Sequence, residues 1–233
     1  MVGYCKNLLV TLTCALFCFG AVSIARADSV TLTNTDSGWY NDQGFHDSTN
    51  KNYIAGHVVV GPVTRAFNNF FVFDLSGVTG TITSAQIHLF TSGVTGSGTY
   101  SLFDVVTSTA QLSADQTTRT DIFADLGGGI GYGSISLTPA DDGTLITINL
   151  NANAIAALQG SSGGLFAVGG NFDAPFGFSF GASRPDIADP RNQLILQTEP
   201  KAAVPEPATM LLLGTGLAGM MSRLKRRRAI GKS

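Results

Sequence analysis

The sequence predicts an all-β fold, a two-layer sandwich of about nine short strands with one short helix. Three observations carry this. Only 13% of the 233 residues are charged while 28 are glycine, a composition of turn-rich extracellular β-proteins rather than of helical enzymes. Between Asp28 and Gln197 apolar residues mostly alternate with polar ones, the period of half-buried strands. Turn signals at Gly93 to Gly98, Asp141-Asp142-Gly143 and Gly160 to Gly164 punctuate the alternation.

Taken in order, strands are expected at 29–33, 54–60, 70–75, 85–91, 99–106, 145–150, 165–168, 176–180 and 193–197. The helix is expected at Ala152 to Leu158, entered through Asn151 or Asn153 and left at Gly160. Gly127 to Gly133 misses the dinucleotide-loop spacing in every register and reads as a flexible loop.

The ends differ from the middle. Lys6 precedes an apolar run from Leu8 to Val22, and Ala25-Arg26-Ala27 places small residues where signal peptidase reads. Residues 1–27 are therefore read as a cleaved signal peptide. Cys5, Cys14 and Cys18 all lie inside it, so the mature chain has no disulfide, thiolate metal site or cysteine nucleophile. From Asp28 to Ala203 there are fifteen acidic residues against six basic, whereas six basic and no acidic residues follow Glu206. An acidic domain repels nucleic-acid backbones, so a nucleic-acid partner is excluded from the reading.

After a linker at 198–204 come Pro205-Glu206-Pro207, an uncharged run from Ala208 to Met221, and the basic residues Arg223, Lys225, Arg226, Arg227 and Arg228. As a helix the run reaches about 21 Å, which snorkelling Arg223 extends toward the ~30 Å hydrocarbon core. The positive-inside rule puts the 229–233 tail in the cytoplasm. Gly214, Gly216 and Gly219 keep one side of that helix small enough for another transmembrane helix to approach. Triplet, helix and basic stop, together 205–228, closely resemble the PEP-CTERM sorting signal of Gram-negative bacteria. The resemblance implies recognition by an exosortase, a membrane-embedded cysteine protease, cleavage near the triplet, transient inner-membrane anchoring, and transfer to the cell surface or medium. It also implies an exopolysaccharide or biofilm context.

A second resemblance concerns the domain. Arg65-Ala66-Phe67-Asn68-Asn69-Phe70-Phe71-Val72-Phe73-Asp74-Leu75-Ser76, then Ile82-Thr83-Ser84-Ala85-Gln86-Ile87-His88-Leu89, resembles the opening of secreted jelly-roll modules of the DNRLRE type. Ile146 to Leu150, the short helix and Leu165 to Val168 are similar to their second half. This implies a jelly-roll-like sandwich at 28–197 with a glycan- or matrix-binding role; the span Asp121 to Gly133 departs from the pattern.

His46-Asp47 with His57 is a metal or acid/base candidate lacking a third ligand, and His88 reads as a solvated strand residue. Asp74 and Asp104 end hydrophobic segments and are the candidate carboxylate pair for a secreted polysaccharide hydrolase, Glu199 lying in the exit linker. Asp36, Asp42 and Asp47 punctuate a segment dense in hard oxygen donors, a calcium candidate set against an Asx-turn loop. Trp39, Tyr40 and Tyr53 lie nearby as aromatic faces for sugar rings or as core plugs. The expectation is a non-enzymatic surface or matrix module; the alternative is a carbohydrate-binding module, with or without calcium.

Overall fold

The computed structural model describes residues 27–200 together with Gly214, Gly216, Leu217, Gly219 and Met220. Residues up to Pro200 form one compact unit and Lys201–Ser233 a second. The first unit contains β1 (Asp28–Asn41), β2 (Ala55–Val60), β3 (Val63–Asp74), β4 (Thr81–Phe90), β5 (Gly98–Phe103), α1 (Thr109–Leu112), α2 (Thr120–Leu126), β6 (Gly131–Leu137), a 3-10 turn (Pro139–Asp141), β7 (Leu145–Asn149), α3 (Ala152–Gly160), β8 (Leu165–Phe172), β9 (Gly177–Ser179) and β10 (Gln193–Glu199).

Two antiparallel sheets face each other. β1, β10, β4 and β7 form the first, and β1, β3, β8, β5 and β6 the second, with β2 paired to the start of β3 and β9 to β2. β1 belongs to both. Its residues Asp28 to Thr33 pair with β10 and Asn34 to Asn41 with β3, the register shifting between Asn34 and Asp36. A bulge supplies the bend that lets one strand turn this corner. At the opposite side the Asn151 backbone N–H donates to Tyr132 O at 2.9 Å and its side chain to Gly131 O at 2.8 Å, drawing β6 toward the end of β7.

The core lies between the sheets. Ile87, Leu89, Leu194 and Leu196 of the first sheet meet Phe71, Phe73, Tyr100, Leu102, Phe166 and Val168 of the second, with Ala154 and Leu158 of α3 closing one end. The alternation of β4, buried at Ile82, Ala85, Ile87 and Leu89, marks a sheet with one face in the core. β3 breaks that alternation: Asn68 to Phe73 are buried without interruption. Phe71 and Phe73 point inward, while Phe70 and Val72 point outward into a second cluster with Tyr40, Leu112, Ile122 and Leu126. The segment carrying α1 and α2 therefore covers the outside of the second sheet.

Two consecutive glycines make that three-layer packing fit. A Cβ on Gly169 would lie 2.5 Å from Leu126 O, so its absence lets α2 approach the sheet. A Cβ on Gly170, on the other face, would lie 2.3 Å from Asn69 Oδ1, the atom that accepts from the Tyr100 hydroxyl at 2.8 Å. Asn69 Nδ2 in turn donates to Tyr53 O at 2.6 Å. The buried amide is satisfied on both atoms, as an interior polar group must be.

Several expectations need correction. The Gly127 to Gly133 stretch is not a flexible loop: Gly127 caps α2, and Gly131 onward is β6, paired with β5. β6 is rich in Gly and Ser, which hid a strand whose Tyr132 and Leu137 are buried. Two short helices, α1 and α2, join the expected one, and ten strands stand where about nine were expected. Asn151 does cap α3, accepting from Asn153 N at 3.0 Å and Ala154 N at 3.2 Å. β10 runs on to Glu199, with Thr198 and Glu199 paired to Ile82 and Thr81, so the linker cannot begin at 198. The signal-peptide residues, Ala25 and the cysteines among them, lie outside the described residues, apart from Ala27.

Candidate functional site

The aromatic residues expected to face a ligand do not form a platform. Tyr40 is fully buried on the outer face of the second sheet, its hydroxyl donating to Gln111 O at 3.0 Å and Leu112 O at 3.1 Å. Burial pushes its pKa up to about 12. Tyr53 is fully buried in the main core, donating to Phe90 O at 3.0 Å, and burial raises its pKa as well. Tyr40 packs with Phe70, Leu112, Ile122 and Leu126, and Tyr53 with Phe71 and Phe180, which puts both rings inside. Trp39 is half-buried and ringed by Phe67 at 5.1 Å and Phe45 at 6.0 Å.

His46 is the unexpected member of this group. It stacks on Tyr40 at 4.7 Å and meets Phe70 edge-on at 5.5 Å. Its Nδ1 lies 2.8 Å from Trp39 O, so Nδ1 carries the proton, while among the described residues Nε2 is buried without a partner. Burial holds its pKa below the ordinary histidine value. His57 Nδ1 instead binds Ala174 O at 3.0 Å, and His88 sits within β4 between Thr147 and Gln193. Each ring serves a different backbone neighbourhood, and no shared His46–His57 centre forms.

The aspartates are dispersed too. The segment expected as a loop is β1 as far as Asn41. Asp36 pairs with Lys51 at 2.6 Å and accepts from the Ser37 N–H and the Ser113 hydroxyl. Asp42 faces Arg65 at 3.6 Å, and Asp47 accepts from both Thr49 N and Thr49 Oγ1, which holds its carboxyl below the usual carboxylate range. Among the described residues no group of three or more His, Cys, Asp or Glu is placed to hold a metal ion.

Asp74 ends β3 and Asp104 follows β5, the strands either side of β8. Asp74 is opposite Leu165 on β8, and Phe103, next to Asp104, is opposite Gly169. Strand spacings then put the two about 14 Å apart at the backbone, across β8. Each carboxylate is also engaged locally, Asp74 with Ser76 N at 2.8 Å and Asp104 with Ile130 N at 2.6 Å.

A concave site does exist, in a place the sequence did not indicate. A cavity of about 520 Å³ opens between Val105 to Thr109, the beginning of β8 and the end of α3. Its lining includes Thr107, Thr109, Tyr132, Ser161 and Leu165, and no charged side chain. Only the pairing of β6 and the docking of α1 assemble it; the contributing residues span Val105 to Ala167.

The unit Lys201–Ser233 is known from its sequence. Residues 203–228 match the family model of the PEP-CTERM protein-sorting motif. The chain carries a PEP-CTERM sorting motif. That match includes Pro205, Glu206, Pro207 and the arginine cluster, all outside the described residues, and it does not extend to the DNRLRE-type likeness of the folded unit. The PEP-CTERM motif implies exosortase as the processing partner, and with it export, processing at the membrane and passage to the surface. The expected membrane helix at Ala208 to Met221 falls largely outside the described residues, of which Gly214, Gly216, Leu217, Gly219 and Met220 are helical. No helix among the described residues is long and apolar enough to cross a membrane.

No curated protein sequence matches the chain. Among solved structures, the carbohydrate binding module CBM6cm-2 from Cellvibrio mixtus lichenase 5A, in complex with cellotriose, aligns at 12% identity. It covers 71% of this chain and 98% of that one with a TM-score of 0.27, a likeness too low to argue from.

Proposed function

We propose that this chain is an exported, non-enzymatic surface or matrix protein, released from a transient inner-membrane anchor by exosortase cleavage near Pro205-Glu206-Pro207. The observation that carries the reading is the PEP-CTERM match at 203–228, directly after a folded unit that ends at Pro200. The folded unit is the cargo. Its strand order, β1-β10-β4-β7 facing β3-β8-β5-β6, supports a jelly-roll-like sandwich of two interlocked Greek keys. The local engagement of Asp74 by Ser76 N and of Asp104 by Ile130 N favours a structural or adhesive role in exopolysaccharide over hydrolysis. The role needs no cofactor.

Mass spectrometry of the protein recovered from a PEP-CTERM host tests the sorting step. The extracellular form should begin at Asp28 and lack Met210 to Met221. Replacing Pro205 and Pro207 by Ala should leave the full-length chain in the membrane fraction. An extracellular form that retains Met210 to Met221 sinks the reading.

A further inference from the structure

We infer that the cavity between Val105 to Thr109, β8 and α3 binds a short stretch of neutral polysaccharide. This rests on reading the domain as an exported matrix module and adds the site and the ligand class. At about 520 Å³ the cavity falls within the range of small-molecule sites, roughly 300–1,000 Å³.

Its chemistry selects the occupant. Tyr132 is only 5% exposed, yet it lines the cavity and its hydroxyl has no hydrogen-bond partner among the described residues. Its ring is held against Phe166, stacked at 6.1 Å. The Tyr132 hydroxyl is not fully buried, so water reaches it from the cavity and a ligand hydroxyl can take the water's place. Thr109 and Ser161 also line the cavity with hydroxyls that no described residue engages. Thr107 Oγ1 donates to Asp125 at 2.7 Å, leaving its lone pairs free to accept. Between these hydroxyls stand Val105, Leu165 and Ala167.

Alternating hydroxyl and aliphatic surface complements a sugar, whose ring presents hydroxyls around a C–H face. An aliphatic ligand would leave the Tyr132 hydroxyl unpaired. An anionic one finds no cation in the lining and meets a domain with fifteen acidic residues against six basic between Asp28 and Ala203.

The unit 28–200 contains both core clusters whole, so it is the form to test. Affinity electrophoresis through gels holding dextran, galactomannan, xyloglucan or alginate should show retardation by at least one neutral polysaccharide and none by alginate. Tyr132→Phe, which removes one oxygen, should weaken that retardation about tenfold with an unchanged Tm. Leu165 is 51% exposed, so Leu165→Lys keeps the fold and should abolish it. The inference is overturned if no neutral polysaccharide retards the protein, if alginate retards it equally, or if both variants behave as wild type. Polysaccharide binding together with an extracellular form that retains Met210 to Met221 would remove the sorting reading and leave this site standing; processing without binding would do the reverse.

Discussion

The two sheets differ in how many faces they bury. The outer face of the first sheet carries Gln86, His88, Thr147 and Gln197, all half-buried or exposed, whereas the outer face of the second carries Tyr40, Phe70 and Val72, all buried under α1 and α2. Sequence reflects this directly. β4 alternates, and β3 runs Phe-Phe-Val-Phe without a polar break. A continuous apolar run in an antiparallel sandwich thus announces a third layer, here one built from a segment too short in its helices to stand out by periodicity.

The largest effect in this comparison should come from the shared core. Phe71 is fully buried between the sheets, and Phe71→Ala should cost about 3–5 kcal/mol, read as a lowered denaturant midpoint. Both sheets would be lost together in a single transition.

Leu126 tests the cover alone. Leu126→Ala should cost about 2–5 kcal/mol, with hydrogen exchange accelerated first across 109–127. His88→Ala, on the uncovered sheet, should stay within about 0.5 kcal/mol. Equal losses from these two substitutions would mean that the helices add no stability to the second sheet.

The smallest effect concerns acid. Burial lowers the His46 pKa in the folded chain, so its unfolded form takes up a proton first as pH falls below about 6.5. Stability should therefore be complete above that pH and decline on acidification toward the folded value. Lys51 opposes the imidazolium, and Asp36 and Asp115 favour it. His46→Asn, which keeps a donor for Trp39 O but does not titrate, should flatten the slope between pH 7 and 5 in thermal melts. An unchanged slope would mean that His46 is not the group that senses acid.

Most strands were legible because alternation survives wherever one face meets solvent, as in β4, β7 and β10. β6 was not, because Gly and Ser at an edge carry little hydrophobic signal. α1 and α2 were missed for a related reason: four and seven residues are too few for a 3.6-residue period to show. Among site residues, Trp39, Tyr40 and Tyr53 looked equivalent in sequence. Burial separated them, sending two into different core clusters and leaving the third at the edge of β1. That Tyr132 lines a cavity has no signature along the chain, because a cavity is defined by neighbours from elsewhere in the fold.

By itself the sequence determined the all-β class, the cysteine-free acidic domain and the sorting motif at 203–228, because composition, alternation and a contiguous signal are all read along the chain. Tertiary structure alone decided that Tyr40, Tyr53 and His46 are interior, that Asp74 and Asp104 stand apart, and that Val105 to Ala167 enclose a cavity. The physical reason is that burial and concavity belong to pairs of distant segments, and antiparallel pairing brings those pairs together only once the sheets have closed.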